Sequence, residues 1–325
     1  MLLLTSQALF PPDVLLMTNF LPWAIFVLFV LGMLALDLGV LQRRPHVLTF
    51  REAIGWYVFW VMLSVGFNLG VYFWRGSQPA LEFLTGYVLE VSLSMDNVFV
   101  FAVIFSYMAV KAEFQHRVLF WGIVGALVMR ATFILVGVTL VGRFHWILYV
   151  FGAFLLITGG KLLREKKEEF HPDRSLVLRL ARKVLPITET YEGSSFFVRR
   201  NGRRFATPLL LVLLLVETTD VLFAVDSIPA IFAVTLDPFI VFTSNVFAIL
   251  GLRALYFVLS GAIRKFRYLR AGLALVLIFV GMKMLVAGFY KLPTLISLGI
   301  ICGILGVAIV ASASSKERAE VGNRK

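Results

Sequence analysis

Five carboxylates stand inside otherwise apolar stretches: Glu90 and Asp96 in one, and Glu217, Asp220 and Asp226 in another. A charged side chain at the centre of a membrane helix costs roughly 2.5–3.5 kcal/mol on an insertion scale. Five of them cannot face lipid. They must face a protein interior or a wet cavity, and there be paired, protonated or bound to a cation. The donors around them are all oxygens or amides: Asn97, the hydroxyls of Ser94, Thr218, Thr219 and Ser227, and backbone carbonyls. The four histidines (46, 116, 145 and 171) read as loop residues, and the single cysteine, Cys302, is remote. Oxygen-only donors suit hard cations such as Mn²⁺, Mg²⁺ or Ca²⁺, whereas Zn²⁺ or Cu⁺ would recruit His, Cys or Met. The candidate metal ligands are Glu90, Asp96, Asn97, Glu217, Asp220, Asp226 and Ser227. The cation is cargo, and no tightly bound cofactor is expected.

Two arginines, Arg130 and Arg253, also fall within apolar stretches. The acids and these arginines form a purely structural network on one reading. On the other, the arginines hold an empty site and release it to a cation. Five acids against two arginines leave an excess of negative charge, which favours a cation or proton pathway. Ser94 and an acid nearer the chain start, Asp37, join Arg130 and Arg253 as residues for gating or charge pairing. At about 100° per residue, Glu90, Ser94 and Asn97 share one helical face. Asp96 and Asp226 fall about 120° from the acids six residues upstream, Glu90 and Asp220. A helix break would bring each pair together. Pro229 supplies a breaker in the second stretch, so both acidic helices are expected to be broken or tilted.

The elements that carry these residues are membrane spans. The 325 residues are 60% hydrophobic and 15% charged, with mean hydropathy +0.90. Soluble domains run about 45–50% apolar and about 25% charged, so a soluble enzyme, a disordered chain and a fibrous one are excluded. One cysteine excludes a disulfide framework. Apolar runs of about 20 residues, each long enough to cross a bilayer, are read at 21–41, 54–74, 80–110, 118–140, 145–163, 208–235, 238–262, 271–290 and 293–312. The start, MLLLTSQALFPPD, lacks the features of a cleaved signal peptide. With the N-terminus outside, inner loops and the tail hold 25 of the 31 Lys and Arg residues, and outer loops hold three (Arg75, Arg143 and Lys291). This bias predicts N-out and C-in. The net charge of +12 then reflects topology and attraction to anionic lipid, with no nucleic-acid partner. In the long inner loop, REKKEEF reads as an extension of the fifth span. RSLVLRLARKVLP reads as an amphipathic helix at the inner membrane surface, and SSFFVRRNGRRFATP as a hairpin turning at Asn201-Gly202.

Three segment pairs repeat in order. MDNVFVFAV (95–103) matches VDSIPAIFAV (225–234). GALVMRATFILVG (125–137) matches AILGLRALYFVLS (248–260), with Arg130 and Arg253 in register. LLITGGKLL (155–163) matches LIFVGMKML (277–285). Each unit has three crossings, so the two are inverted, an architecture of secondary transporters with the site at the repeat interface. The fold expected is all-α: a polytopic membrane protein of about nine transmembrane helices containing an inverted repeat of three-helix units. Its parts are 1–79 (an outside segment and two spans), 80–163 (first repeat), 164–207 (basic loop), 208–290 (second repeat) and 291–325 (last span and tail).

LALDLGV (34–40), EVSLSMDNVFVFAV (90–103), the stretch from ATPLLLVLLLVETTD to GLRALYF (206–257) and the hairpin FFVRRNGRRF (196–205) together resemble the TerC family of bacterial integral membrane proteins, most closely its Alx-type members. The resemblance implies a multi-span protein of the bacterial inner membrane that serves metal homeostasis, with export of manganese(II) as the leading activity. It narrows the cargo to Mn²⁺, where the ligand chemistry alone reaches a hard cation. Protons are the expected counter-ion. The competing expectation is a membrane scaffold or stress-response protein of the tellurite-resistance type, recruiting partners through 164–207. No His-x-x-x-His pair, Gly-x-Ser-x-Gly elbow or Ser/Lys dyad lies within a span, so no enzymatic activity is expected.

Overall fold

The computed structural model describes residues 20–41, 49–164, 176–200, 202–260, 268–290 and 292–322. The chain start, His46, His171, Asn201, the side chain of Asp37 and nearly all of REKKEEF lie outside what is described. Met1–Pro45 forms one compact unit, whose described element is α1 (Phe20–Leu41), and His46–Lys325 forms the other.

The second unit is a helical bundle: α2 (Phe50–Arg75), α3 (Ser77–Tyr107), α4 (Ala112–Arg143), α5 (Ile147–Arg164), α6 (Leu176–Val184), α7 (Pro208–Phe232), α8 (Pro238–Ser260), α9 (Leu269–Val286) and α10 (Thr294–Gly322), with one hairpin, β1 (Phe197–Arg200) and β2 (Arg203–Ala206). Among the described residues, eight helices, α2–α5 and α7–α10, are long and apolar enough to cross a membrane. The remaining predicted span is α1, whose described apolar part, Leu21–Leu36, is shorter.

Local chemistry sets the helix ends. Thr49 and Glu52 form a reciprocal capping box that opens α2. Gly76, at φ +94°, turns the chain between α2 and α3 in a conformation a side chain would resist. Asp237 caps α8, accepting from the backbone N–H groups of Phe239 (2.9 Å) and Ile240 (3.2 Å). Its other oxygen takes Arg75 at 2.7 Å, which ties the end of α2 to the start of α8.

The repeat is visible in the packing. α3 lies on α8 and α4 on α7, the same contact twice once the units are exchanged. α5 and α9 cross so closely that a Cβ on Gly159 would meet the Ala274 carbonyl at 2.8 Å, and one on Gly281 the Gly152 carbonyl at 2.7 Å. Gly159 matches Gly281 in the repeat, and Gly152 matches Ala274. Low numbers on α5 meet high numbers on α9, so the helices run antiparallel and equivalent positions exchange partners. That is the geometry of a pseudo-twofold axis across the helices, as inversion of the units requires. α8 is the enclosed helix: 94% of its spanning window is buried, against 17% for α2.

The expected amphipathic helix and hairpin are both present. Tyr191 Oη donates to the Met108 carbonyl (2.6 Å), Arg117 donates to Ser194 Oγ (3.1 Å), and the same guanidinium lies 5.2 Å over the Phe196 ring. The segment before the hairpin is thus held against the α3–α4 corner.

Two expectations are corrected. Of the two alternatives, broken or tilted, a break is overturned: α3 runs unbroken for 31 residues and α7 for 25. Pro229 lies three residues from the end of α7: its missing N–H leaves the Val225 carbonyl without its helical donor, but less than one turn of helix follows for a kink to redirect. The hydroxyls of Ser92, Thr218 and Thr219 are spent on carbonyls of their own helices. His116 is not a loop residue. It lies in the second turn of α4, with its ring stacked on Phe257 at 4.3 Å.

Candidate functional site

At the interface of the repeats sits Arg130, from the middle of α4, with 1% of its surface exposed. Its Nη1 lies 2.5 Å from Glu90 Oε1 on α3, 2.8 Å from Ser227 Oγ on α7 and 2.7 Å from Asn245 Oδ1 on α8. Its Nη2 faces Asp220 Oδ1 on α7 at 3.9 Å. One guanidinium thereby joins four helices, a task suited to its planar fork of donors. Asn97 on α3 donates to Asp220 Oδ1 at 3.3 Å, and the Ser227 hydroxyl lies within hydrogen-bonding reach of Glu90. Glu90 matches Asp220 in the repeat and Asn97 matches Ser227, so these two contacts are one contact made twice. Ser94 adds a long bond to Glu90 at 3.5 Å.

The network is not saturated. Among the described residues, Asp220 Oδ2, Asn97 Oδ1, Asn245 Nδ2 and Arg130 Nε are buried without a hydrogen-bond partner. Buried polar atoms are ordinarily paired. Two of these four are oxygens with lone pairs that a hard cation accepts. Arg253, the repeat equivalent of Arg130, lines with Asp220 a small, largely apolar cavity of about 10 Å³, room for about one water.

The other predicted ligands lie apart. Asp96 and Asp226 are half-buried and, because the helices are unbroken, project away from Arg130. Asp226 lies within hydrogen-bonding reach of Thr158 on α5, and the opposing charge that acts on Asp96 is Arg270, at the start of α9. Since α5 and α9 are repeat equivalents, these aspartates form a second symmetric pair on the outer flank of the motif helices. Glu217 occupies a third place, over Gly125 of α4. A Cβ there would come within 2.0 Å of its Oε1, so alanine would push the carboxylate from its seat. The structure therefore brings Glu90, Asn97, Asp220 and Ser227 together around Arg130, and does not bring Asp96, Asp226 or Glu217 to them. Among the described residues, no three His, Cys, Asp or Glu side chains gather closely enough to hold a metal ion.

Asn245 stands outside the candidate ligands and gating residues read from the sequence, yet it is a direct partner of Arg130. The signal was present: a polar side chain eight residues before Arg253, in the helix that holds the second arginine. Gly125 carried no signal beyond its place in the repeat.

The family profile described as "Integral membrane protein TerC family" matches residues 75–320. An uncharacterized membrane protein of Myxococcus xanthus is 56% identical over 290 residues, covering 89% of this chain and 91% of that protein. Proteins named "Putative membrane-bound redox modulator Alx" are 49% identical in Salmonella typhi, over 89% of this chain and 92% of theirs, and 48% identical in Escherichia coli K12, over 90% and 94%. No solved structure matches. With the family profile matching 75–320 and relatives 48–56% identical over most of its length, the chain belongs to the TerC family of integral membrane proteins.

Proposed function

We propose that the protein is a transporter that exports a divalent cation, Mn²⁺, from the cytoplasm, using the carboxylates at the repeat interface and protons as counter-ions. The observation that carries this reading is the buried, reciprocal network of Glu90, Asp220, Asn97 and Ser227 around one arginine, with Asp220 Oδ2 and Asn97 Oδ1 unpaired. Arg130 serves as the counter-charge of the resting site. A cation that displaces it finds two carboxylates and two neutral oxygen donors from antiparallel helices, a hard-ligand set. Rocking of the repeats about the α5–α9 crossing then exposes the site alternately to the two sides. The resemblance of the acidic motifs to TerC proteins narrows the ion to Mn²⁺. The redox modulation for which the Alx relatives are named finds no dithiol here, because the chain has one cysteine.

The test is flux. Full-length protein in liposomes should move Mn²⁺ above the rate of empty vesicles, with stronger competition from unlabelled Mn²⁺ than from Zn²⁺. Flux equal to that of empty vesicles sinks the proposal.

The orientation proposed in a bacterial inner membrane is N-out and C-in. Reporter fusions at residues 114, 185, 267 and 320 are expected to signal the cytoplasm. A periplasmic signal at 185 would reverse the direction assigned to the site.

A further inference from the structure

One amphipathic element takes no part in the proposed transport. α6 carries three cations and no acid in nine residues, LVLRLARKV. Its buried edge is fixed: Leu178 is 3% exposed and joins the apolar cluster that contains Leu209 and Val212 of the first turns of α7. α6 therefore lies level with the end of a spanning helix, where lipid headgroups begin. About 120–160° round the helix from that edge stand Leu180 and Val184, one helical turn apart and 60% and 75% exposed. Next to them Arg179, Arg182 and Lys183 are exposed. The hairpin that follows adds charge, since Arg199 lies opposite Arg204 and Arg200 opposite Arg203 across the strands, with Glu192 pairing Arg200. Like charges directly opposite are unfavourable, and an anionic neighbour relieves them.

We propose that α6 seats anionic phospholipid, with Leu180 and Val184 at the acyl boundary and Arg179, Arg182 and Lys183 on the headgroup phosphate. The exposed apolar pair and the cations lie side by side at the level of the interface, which is the pattern of a helix lying in the membrane surface. Free phosphate satisfies the cations alone. A lipid satisfies both features.

Native mass spectrometry of the full-length protein, titrated with phosphatidylglycerol and phosphatidylcholine of the same acyl chains, tests this. Wild type should retain phosphatidylglycerol at about tenfold lower concentration than phosphatidylcholine. Arg179→Gln/Arg182→Gln/Lys183→Gln, eluting as a folded protein, should lose that preference. Leu180→Ser/Val184→Ser should weaken retention of both lipids. An undiminished preference in the triple variant overturns the proposal. So does displacement of phosphatidylglycerol by millimolar inorganic phosphate alone. A change of oligomeric state in the Leu180→Ser/Val184→Ser protein, without a change in lipid retention, assigns the face to a second copy and overturns it as well.

Discussion

Arg130→Gln is expected to be the most destabilising single substitution in the bundle, costing about 3–5 kcal/mol. The guanidinium is 1% exposed and offsets two buried carboxylates, Glu90 at 2.5 Å and Asp220 at 3.9 Å. Glutamine keeps some hydrogen-bonding capacity but leaves both acids without a counter-charge. Lysine keeps the charge but loses the fork that reaches Ser227 and Asn245 together, so Arg130→Lys should fall between the two. The second half of a double-mutant cycle makes the argument sharp. Glu90→Gln in the Arg130→Gln background should recover part of the loss, because the partner then carries no buried charge. The measurement is the unfolding midpoint in one detergent, read beside the fraction of monodisperse protein. A cost below about 1 kcal/mol for Arg130→Gln, the size of an exposed ion pair, would show that the network does not hold the fold.

The arginine and its acids were legible in the sequence for a physical reason. Lipid forbids unpaired charge, so every ionisable residue inside a 20-residue apolar run reports an interior contact. The order of the repeat was legible for the same reason, because Glu90, Asp96 and Arg130 recur as Asp220, Asp226 and Arg253. What could not be read was the rotation of each helix. Glu217 sits over Gly125 because of where α4 crosses α7, which no spacing along α7 encodes. The expected break at Pro229 failed because a proline in the last turn removes a single backbone bond, to the Val225 carbonyl, and leaves almost no helix beyond it to redirect. With both helices unbroken, the seven proposed ligands divide into a central group, a flanking pair and Glu217, seated over Gly125 with only the charge of Asp220 acting on it from the central group.

The division makes Asp96 and Asp226 the most discriminating positions for transport. Asp96→Asn and Asp226→Asn are each expected to abolish Mn²⁺ flux while leaving the amount of folded protein near the wild-type level. Neither side chain belongs to the Arg130 network, so neutralising it leaves no buried arginine without its partners. The asparagine keeps the shape, and Thr158 can still bond to residue 226. What is lost is one negative charge on the flank of the site. An ion that passes the flanking carboxylate at contact, about 2.3 Å away, is attracted by on the order of 14 kcal/mol at an effective dielectric of about 20, before dehydration is subtracted. A net fifth of that is about a hundredfold in affinity. A membrane scaffold predicts the opposite pattern, in which internal struts are lost, protein level falls and no flux exists to be lost. The deciding quantity is Mn²⁺ flux divided by folded protein for the two variants in the same liposomes. Wild-type normalised flux in both would remove Asp96 and Asp226 from the pathway and leave the Arg130 cluster as the only candidate route. Loss of flux at an unchanged protein level would place the flanking pair on the path of the ion, between the basic end of α9 and the face of α5.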